Sequence, residues 1–285
     1  MFVEKPDDEP VRSAFPFSTE VVREGSAVLI IPKPESYAMG RKEYIPSKAP
    51  VFYNPIMRFN RDVAVLALRT YQRRVNLNLS VCEPFTGCGV RGIRFAMEVQ
   101  NVSRVVLNDL NSYAVKLARL NVEENRLCER ITVESMDANA LLSNNALPKA
   151  RFDVIDVDPF GSPSPACVRR YLGKPLRTEY CHELAVRLLI NCLVLAAAKH
   201  ELGIDVLFSH STDHYIRVYA QVFPGAGRAN KSIEKLGYIA HCFNCLDRKW
   251  SRGLSNFPNI KCEVCGGQMA VAGPLWMGSL FDRGF

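Results

Sequence analysis

The stretch Leu-Ser-Val-Cys-Glu-Pro-Phe-Thr-Gly-Cys-Gly-Val-Arg-Gly-Ile-Arg-Phe, residues 79–95, decides the fold of this chain. Its first part, Leu79–Phe85, is a short apolar run, and apolar residues recur at helical spacing over Gly89–Val99. Between the two, the glycines fit the pattern G-x-G-x-x-G from Gly87 onward. A strand that turns through glycines into a helix is typical of Rossmann-like sheets, where a ligand approaches the helix N-terminus.

Further apolar runs and helical stretches alternate along the rest of the chain. The predicted strands are Arg104–Leu107, Ile131–Glu134, Phe152–Val157 and Ile204–Ser209, and the predicted helices are Ser112–Asn125 and about Thr178–Leu202. Such alternation predicts an α/β fold, a mostly parallel sheet with helices on both faces. We expect an N-terminal extension with short strands over residues 1–50, a Rossmann-like domain over 51–236, and a small zinc-binding appendage over 237–285 that begins a further domain.

The composition limits the possible partners. A net charge of +7 favours a polyanion, of which nucleic acid is the commonest. No apolar run approaches the ~20 residues that a membrane span needs, and the first ten residues lack the apolar core of a signal peptide. The sequence therefore predicts a cytoplasmic, monomeric protein that binds no membrane and needs no obligate protein partner.

Acidic residues follow three of the predicted strands. Glu83 lies at the end of the first strand, where its charge would repel a pyrophosphate but suit a cationic cofactor without phosphates, such as S-adenosylmethionine. Asp109 can accept hydrogen bonds from ribose hydroxyls, and Asp137-Ala138 can meet an adenine. The glycines and Asp109 also fit a dinucleotide, so an NAD-dependent oxidoreductase remains an alternative.

The fourth strand ends in Asp158-Pro159-Phe160-Gly161, a turn that faces the cofactor crevice of an open α/β sheet. Asp158 can bind an N–H group and accept its proton as the nitrogen acquires a methyl group. Pro159 fixes the turn and removes a donor, and Phe160 can stack on a base. This combination favours methylation of a planar amine.

Four of the ten cysteines form two C-x2-C pairs, Cys242 with Cys245 and Cys262 with Cys265, separated by 16 residues. This spacing is typical of a structural zinc site with four thiolate ligands. A complete set of four ligands leaves no open coordination position for catalysis.

Taken in order, the motifs of this chain resemble those of the tRNA (guanine-26-N2)-dimethyltransferases of archaea and eukaryotes. The matching segments are Phe52–Met57 with Asn60–Asp62, Thr86–Arg94, Asn108-Asp109, Asp137-Ala138, Asp158–Pro163, Cys181–Glu183, His214–Val218 and Gly273–Trp276.

The resemblance implies two successive methyl transfers from S-adenosylmethionine to the N2 amine of a tRNA guanosine. It implies that Asp158 is catalytic and that Phe52 and Phe160 sandwich the flipped-out guanine. The residues implied for the cofactor are Arg61, Arg91, Asp109, Asp137 and Ala138, beside Glu83 and Gly87 of the turn.

The chain departs from this family after Pro165, where the family continues through a helix and a strand. Here Ala166–Tyr171 follows at once, so a central piece of the sheet is expected to be absent, as is the C-terminal domain of the family. A catalytically impaired, zinc-bearing relative that binds tRNA is therefore a further alternative.

Overall fold

The structure, a computed structural model, describes residues 15–34, 38–39, 43–44, 46–158, 171–213, 215–256 and 259–285. The chain divides into two compact units, Met1–Pro159 and Phe160–Phe285. The sequence grouped residues 160–236 with the glycine loop, whereas the described residues among them, from 171 onward, belong to the unit that carries the cysteines. The predicted site residues Pro159 and Phe160 lie outside the described residues.

The first unit contains a four-stranded parallel sheet and two short antiparallel pairs. Its strands are β1 (Thr19–Glu24), β2 (Ala27–Pro32), β3 (Ala38–Met39), β4 (Glu43–Tyr44), β5 (Leu79–Glu83), β6 (Val102–Asn108), β7 (Ile131–Glu134) and β8 (Val154–Ile155). Its α-helices are α1 (Arg58–Val75), α2 (Val90–Glu98), α3 (Ser112–Glu124) and α4 (Ala138–Asn144). The parallel strands lie in the order β7-β6-β5-β8, which confirms the predicted α/β class.

Helices cover both faces of this sheet. A Cβ atom at Gly92 of α2 would lie 2.3 Å from Leu107 and 3.2 Å from Val105, so α2 packs closely on the face that carries these side chains. Val106 points to the opposite face, where it packs with Leu141 of α4. Apolar burial on both faces explains why β6 is a continuous apolar run rather than an alternating one.

The hairpin of β1 and β2 is tied to the glycine loop through α3. The amide of Asn121 in α3 accepts a hydrogen bond from Ile30 N at 2.6 Å, and its Nδ2 donates to Ile30 O and to Cys88 O at 3.0 and 2.8 Å. The β1–β2 hairpin is therefore part of the first unit and helps to position the glycine loop.

The second unit contains a hairpin, a three-stranded sheet and two helices. They are α5 (Cys181–Ala198), β9 (Leu202–Thr212), β10 (Tyr215–Pro224), α6 (Ala226–Ile233), β11 (Leu236–His241), β12 (Arg248–Arg252) and β13 (Ala270–Trp276). The hairpin pairs β9 with β10, and the three-stranded sheet has the order β12-β11-β13.

Helix α5 is long and apolar enough to cross a membrane by length and composition alone. Its side chains Ile190 and Val194 are fully buried against Ile204, Leu236 and Trp276. Packing in the core of this unit therefore accounts for the apolar side of the helix.

Candidate active site

The sequence-predicted site residues follow four parallel strands, whose carboxyl ends meet at one edge of the sheet. Gly87 follows β5, Asp109 follows β6, Asp137 follows β7 and Asp158 follows β8. A direct contact joins two of them, because Gly87 N donates a hydrogen bond to Asp109 Oδ2 at 2.9 Å.

The glycine loop needs glycine at two positions. Gly87 and Gly89 have φ angles of 56° and 84°, in the left-handed region that other residues rarely adopt. A Cβ atom at Gly87 would also lie 3.0 Å from the carbonyl oxygen of Phe52. The half-buried Phe52 segment therefore packs directly on the loop.

The carboxylate of Asp109 is half-buried and partly engaged by backbone groups. Besides Gly87 N, it accepts a hydrogen bond from Asn111 N at 2.9 Å. The preceding residue, Asn108, is fully buried and links the ends of three strands through Pro84 O, Met136 O and Met136 N. The sequence analysis gave Asn108 no role. A polar asparagine at the end of an apolar strand could have indicated that its amide links the ends of neighbouring strands.

Asp137 is the N-cap of α4, with Ala138 as the first helical residue. Its Oδ1 accepts hydrogen bonds from Asn139 N and Ala140 N at 2.9 and 3.1 Å. The side chain is exposed, so its other oxygen faces solvent at the carboxyl edge. The predicted adenine contact of these two residues stays a prediction.

Glu83 shapes the loop from within. Its Oε2 accepts hydrogen bonds from Thr86 Oγ1 at 2.8 Å and Gly92 N at 3.0 Å, so both ends of the loop are fastened to one carboxylate. Burial raises the pKa of Glu83 to about 7, against the nearby charge of Arg91, which lowers it. The direct cofactor contact expected for Glu83 stays a prediction.

We expect Glu83→Gln to remove a pH dependence of folding. The raised pKa favours the neutral acid in the folded state, so this contribution to stability is present at low pH and lost as pH rises towards about 7. The free energy of unfolding of the parent chain, measured in urea relative to the variant, should fall by about 2–3 kcal/mol from about pH 5 to about pH 8. A difference independent of pH would contradict this prediction.

Arg91 of α2 holds the predicted catalytic aspartate. Its side chain is only 5% exposed, and its Nη2 donates to Asp158 Oδ2 at 2.7 Å and to Asn60 Oδ1 at 3.2 Å. Its Nη1 donates to the buried Asp156 at 3.1 Å. Burial acts to lower the pKa of Arg91, but the carboxylates of Asp156 and Asp158 raise it above its ordinary value.

The terminal nitrogens of Arg91 are thus bound to Asp158, Asp156 and Asn60, and the cofactor contact expected for Arg91 stays a prediction. Asp158 itself remains 38% exposed at the side chain, so it can still reach a ligand. The geometry thus pairs a partly open carboxylate with a fixed, buried cation. Sequence reasoning missed the roles of Asp156 and Asn60.

Arg61 of α1 is likewise buried in an ion pair. Its Nε and Nη2 donate to Glu24 at 2.6 and 2.5 Å, and Nη2 also donates to Asn54 O at 3.1 Å. Glu24 also accepts from Tyr53 and Arg94, each at 3.0 Å. These contacts anchor the segment that carries Phe52; the cofactor contact expected for Arg61 stays a prediction.

The four predicted metal ligands come together in the second unit. The Sγ atoms of Cys242, Cys245, Cys262 and Cys265 lie within 4.8 Å of one another. The two pairs form matching turns: Leu246 N donates to Cys242 O at 2.8 Å, and Gly266 N donates to Cys262 O at 3.0 Å. Leu246 and Gly266 both have positive φ angles, 63° and 72°.

This cluster fits a tetrahedral metal ion. A zinc ion bound at about 2.3 Å to four sulfurs requires sulfur–sulfur separations of about 3.8 Å. The sulfurs of Cys242 and Cys265, and those of Cys245 and Cys262, are 3.5 Å apart. The repeated turn places both pairs in the arrangement that the spacing predicted.

Comparison with known families gives a match over nearly the whole chain. A family model described as N2,N2-dimethylguanosine tRNA methyltransferase matches residues 25–166 and 164–285. A tRNA (guanine(26)-N(2))-dimethyltransferase of Methanosphaera stadtmanae is 37% identical over 94% of this chain and 73% of its own length. The tRNA (guanine(26)-N(2)/guanine(27)-N(2))-dimethyltransferase of Aquifex aeolicus is 33% identical over 93% of this chain and 74% of its own length.

Among solved structures, Trm1 from Pyrococcus horikoshii in complex with S-adenosyl-L-methionine is similar. It is 31% identical, with a TM-score of 0.77, over 93% of this chain and 75% of its own.

The comparisons also agree with the expected absence of an internal segment. The two stretches that match the family model meet at residues 164–166, where the sequence departs from the family. The alignment with the Methanosphaera protein spans 298 positions, more than the 285 residues of this chain, so that relative carries residues without a counterpart here.

Proposed function

The chain belongs to the family of N2,N2-dimethylguanosine tRNA methyltransferases, and from this membership we propose its reaction. It transfers one or two methyl groups from S-adenosylmethionine to the exocyclic N2 of a guanosine in tRNA, at position 26. The observation that carries this proposal is the partly exposed Asp158, fixed by Arg91 at the carboxyl edge beside the glycine loop. We further propose that the chain acts in the cytoplasm, as a monomer.

The residues around the glycine loop fit this cofactor. Asp109 and Asp137 supply carboxylates for hydroxyl and amine donors, and Gly87 leaves the backbone partly accessible. When bound, S-adenosylmethionine supplies a methyl group on a positively charged sulfur. Negative side chains at this edge would stabilise that charge, and Asp158 both contacts a fixed cation and reaches solvent.

Asp158 positions and deprotonates the amine. Its carboxylate accepts a hydrogen bond from the N2 amine, which orients the nitrogen lone pair towards the methyl group. As the nitrogen bonds to the methyl carbon, the carbon–sulfur bond would break, S-adenosylhomocysteine would leave, and the proton of the nitrogen would pass to Asp158. Arg91 orients this carboxylate before the reaction, and Phe52 and Phe160 would stack on the base, as the family resemblance implies.

The charge at the loop disfavours the oxidoreductase alternative, which the family membership does not support either. A pyrophosphate needs cations or free backbone donors at the loop. The two arginines of α2 are committed to carboxylates, Arg91 to Asp156 and Asp158, and Arg94 to Glu24, Asp62 and Glu98. Neither guanidinium is available for a phosphate.

The reaction is tested by incubating unmodified tRNA with the chain and S-adenosylmethionine and analysing the nucleosides by mass spectrometry. We expect N2-methylguanosine and N2,N2-dimethylguanosine to form, and a guanosine-26→adenosine transcript to remain unmodified. Binding of tRNA without any methylated guanosine would instead support the impaired-relative alternative.

We propose that the four cysteines bind one structural zinc ion. Four thiolates complete its tetrahedral coordination, so the ion stabilises the segment between β11 and β13 and takes no part in methyl transfer. The matched turns at Cys242 and Cys262 support this role. In each pair, the N–H group four residues after the first cysteine donates to the carbonyl oxygen of that cysteine, so the two pairs share one backbone conformation.

Removal of the metal is expected to unfold the second unit locally. Since a structural zinc site contributes its binding free energy to folding, Cys262→Ser should lower the melting temperature and expose β12 to proteolysis. Metal content by mass spectrometry should fall from one equivalent of zinc to none. The buried but isolated Cys82→Ser is the control, which should keep its zinc; less than one equivalent in the parent chain would contradict the site.

A further inference from the structure

Strand β12 presents an unusual row of side chains at the edge of the three-stranded sheet of the second unit. Alternate residues Arg248, Trp250 and Arg252 are exposed, and β12 pairs with β11 on one side. Trp250 is 62% exposed, whereas the other tryptophan of the chain, Trp276, is 2% exposed and donates its Nε1 hydrogen to Ser279 O. Because tryptophan is usually mostly buried, this exposure calls for a partner.

The two arginines of the row stack on aromatic rings. The guanidinium carbon of Arg252 lies 5.5 Å from the ring centre of Trp250, and that of Arg248 lies 4.8 Å from the ring centre of Tyr180. A guanidinium that lies over a ring can still donate hydrogen bonds from the N–H groups at its edge. The row therefore alternates planar cations with planar rings.

These arginines are not neutralised by carboxylates within the part of the chain that the structure describes. The neighbouring cations are paired: Lys249 contacts Glu263, and Arg187 binds Glu183. For Arg248 and Arg252 the described residues provide ring contacts and no ion pair. Two oriented, unneutralised guanidinium groups fit phosphate oxygens.

A shallow groove continues from this row towards helix α5. Its lining includes Tyr180, Met277 and Ile239, the cross-strand partner of Trp250. Its acidic side chain, Glu183, is bound by Arg187, which also lines the groove. A flat ring can therefore lie against Trp250 beside apolar side chains and cations. A protein partner would need several apolar contacts, whereas the groove is rimmed mostly by cations.

We propose that the Trp250 groove, defined by Tyr180, Arg248, Trp250 and Arg252, binds an unpaired segment of the RNA substrate. A base stacks on Trp250, and Arg248 and Arg252 contact the phosphates on either side of it. Combining cations with an aromatic platform is the general means by which proteins bind single-stranded nucleic acid. This proposal rests on the proposed function in one respect, which is that the RNA is taken to be tRNA.

The test measures tRNA binding by variants of the groove with a fluorescently labelled, unmodified tRNA transcript. Trp250→Ala should weaken binding about tenfold or more, whereas Trp250→Phe, which keeps an aromatic face, should stay within about threefold of the parent. Arg248→Gln combined with Arg252→Gln should make the dependence of log affinity on log salt concentration less steep, by the amount that corresponds to about two phosphate contacts. Circular dichroism confirms that each variant is folded.

Arg228→Gln is the matched control. Arg228 is an exposed arginine of α6 that stacks on Phe223 at 4.6 Å, so it carries the same charge and the same kind of ring contact outside the groove. Its loss should leave the affinity within about twofold. A reduction of the salt slope equal to half that of the double groove variant would overturn the proposal in favour of general charge attraction.

Acrylamide quenching of tryptophan fluorescence gives an independent readout. Since Trp276 is buried, the accessible signal belongs to Trp250, and tRNA should protect it from quenching. Protection that depends on protein concentration and not on tRNA would overturn the proposal in favour of contact between copies.

Two further outcomes separate this proposal from the proposed function. If the parent chain methylates tRNA and Trp250→Ala binds it equally well, the groove is refuted and the function stands. If the parent chain neither binds nor methylates tRNA, both are refuted.

Discussion

Replacing Asp158 with alanine is expected to lower the rate of methyl transfer by a factor of about 100–10,000. The variant loses the acceptor for the amine proton and the carboxylate that Arg91 holds at 2.7 Å. Binding of S-adenosylmethionine should persist, because the glycine loop and Asp109 are joined by their own hydrogen bond. Single-turnover transfer of a labelled methyl group and calorimetric titration of the cofactor measure the two effects separately.

A matched control lies at the other end of the same strand. Asp153 precedes β8, is exposed, and accepts hydrogen bonds from Ser80 N and Ser80 Oγ at 2.8 Å, at the amino edge of the sheet. Asp153→Ala removes the same group away from the site and should leave the rate within about threefold. Equal rates for the parent chain and Asp158→Ala would rule out the catalytic role.

The second large effect is expected from Arg91→Gln. This change removes the guanidinium that contacts Asp156, whose side chain is only 5% exposed. Since removing one partner of a buried ion pair costs about 3–5 kcal/mol, the free energy of unfolding should fall by that amount. Methyl transfer should fall as well, because Asp158 loses the contact that orients it.

Neutralising Asp156 as well separates these two consequences. Adding Asp156→Asn to Arg91→Gln should restore much of the stability measured by urea unfolding, but not the rate of methyl transfer. Arg104→Gln is the control for loss of an arginine, because Arg104 lies on the same sheet with its guanidinium over Phe152 at 5.8 Å. A loss below about 1 kcal/mol in Arg91→Gln would contradict the buried pair.

The strand–helix alternation was predicted well where the pattern was long and regular. Strand β7 was found as predicted, α2 is one residue shorter than predicted at each end, and α3 is one residue shorter at its C-terminal end. Strand β8 covers only residues 154–155 of the predicted 152–157. It pairs with β5 alone among the described strands, and an edge strand has fewer hydrogen bonds to hold its ends in register.

The strands of the second unit were mostly missed. The apolar run at 204–209 was identified, but β10 to β13 were not, since arginine, glycine or proline interrupts the apolar residues of each strand. The exposure of Trp250 could not be predicted from the sequence, because the burial of a side chain depends on what packs against the strand.

The sequence by itself determined the α/β class, the glycine loop, the family and the cysteine cluster. Each of these depends on local spacing: apolar periodicity, glycines at fixed intervals and paired cysteines. Only the tertiary structure decided how the charges are matched. Arg91 and Asp158 are 67 positions apart, and Arg61 and Glu24 are 37 positions apart. Their pairing follows from the order of the strands and the packing of α1 and α2, because a buried cation must find its carboxylate in space rather than along the chain.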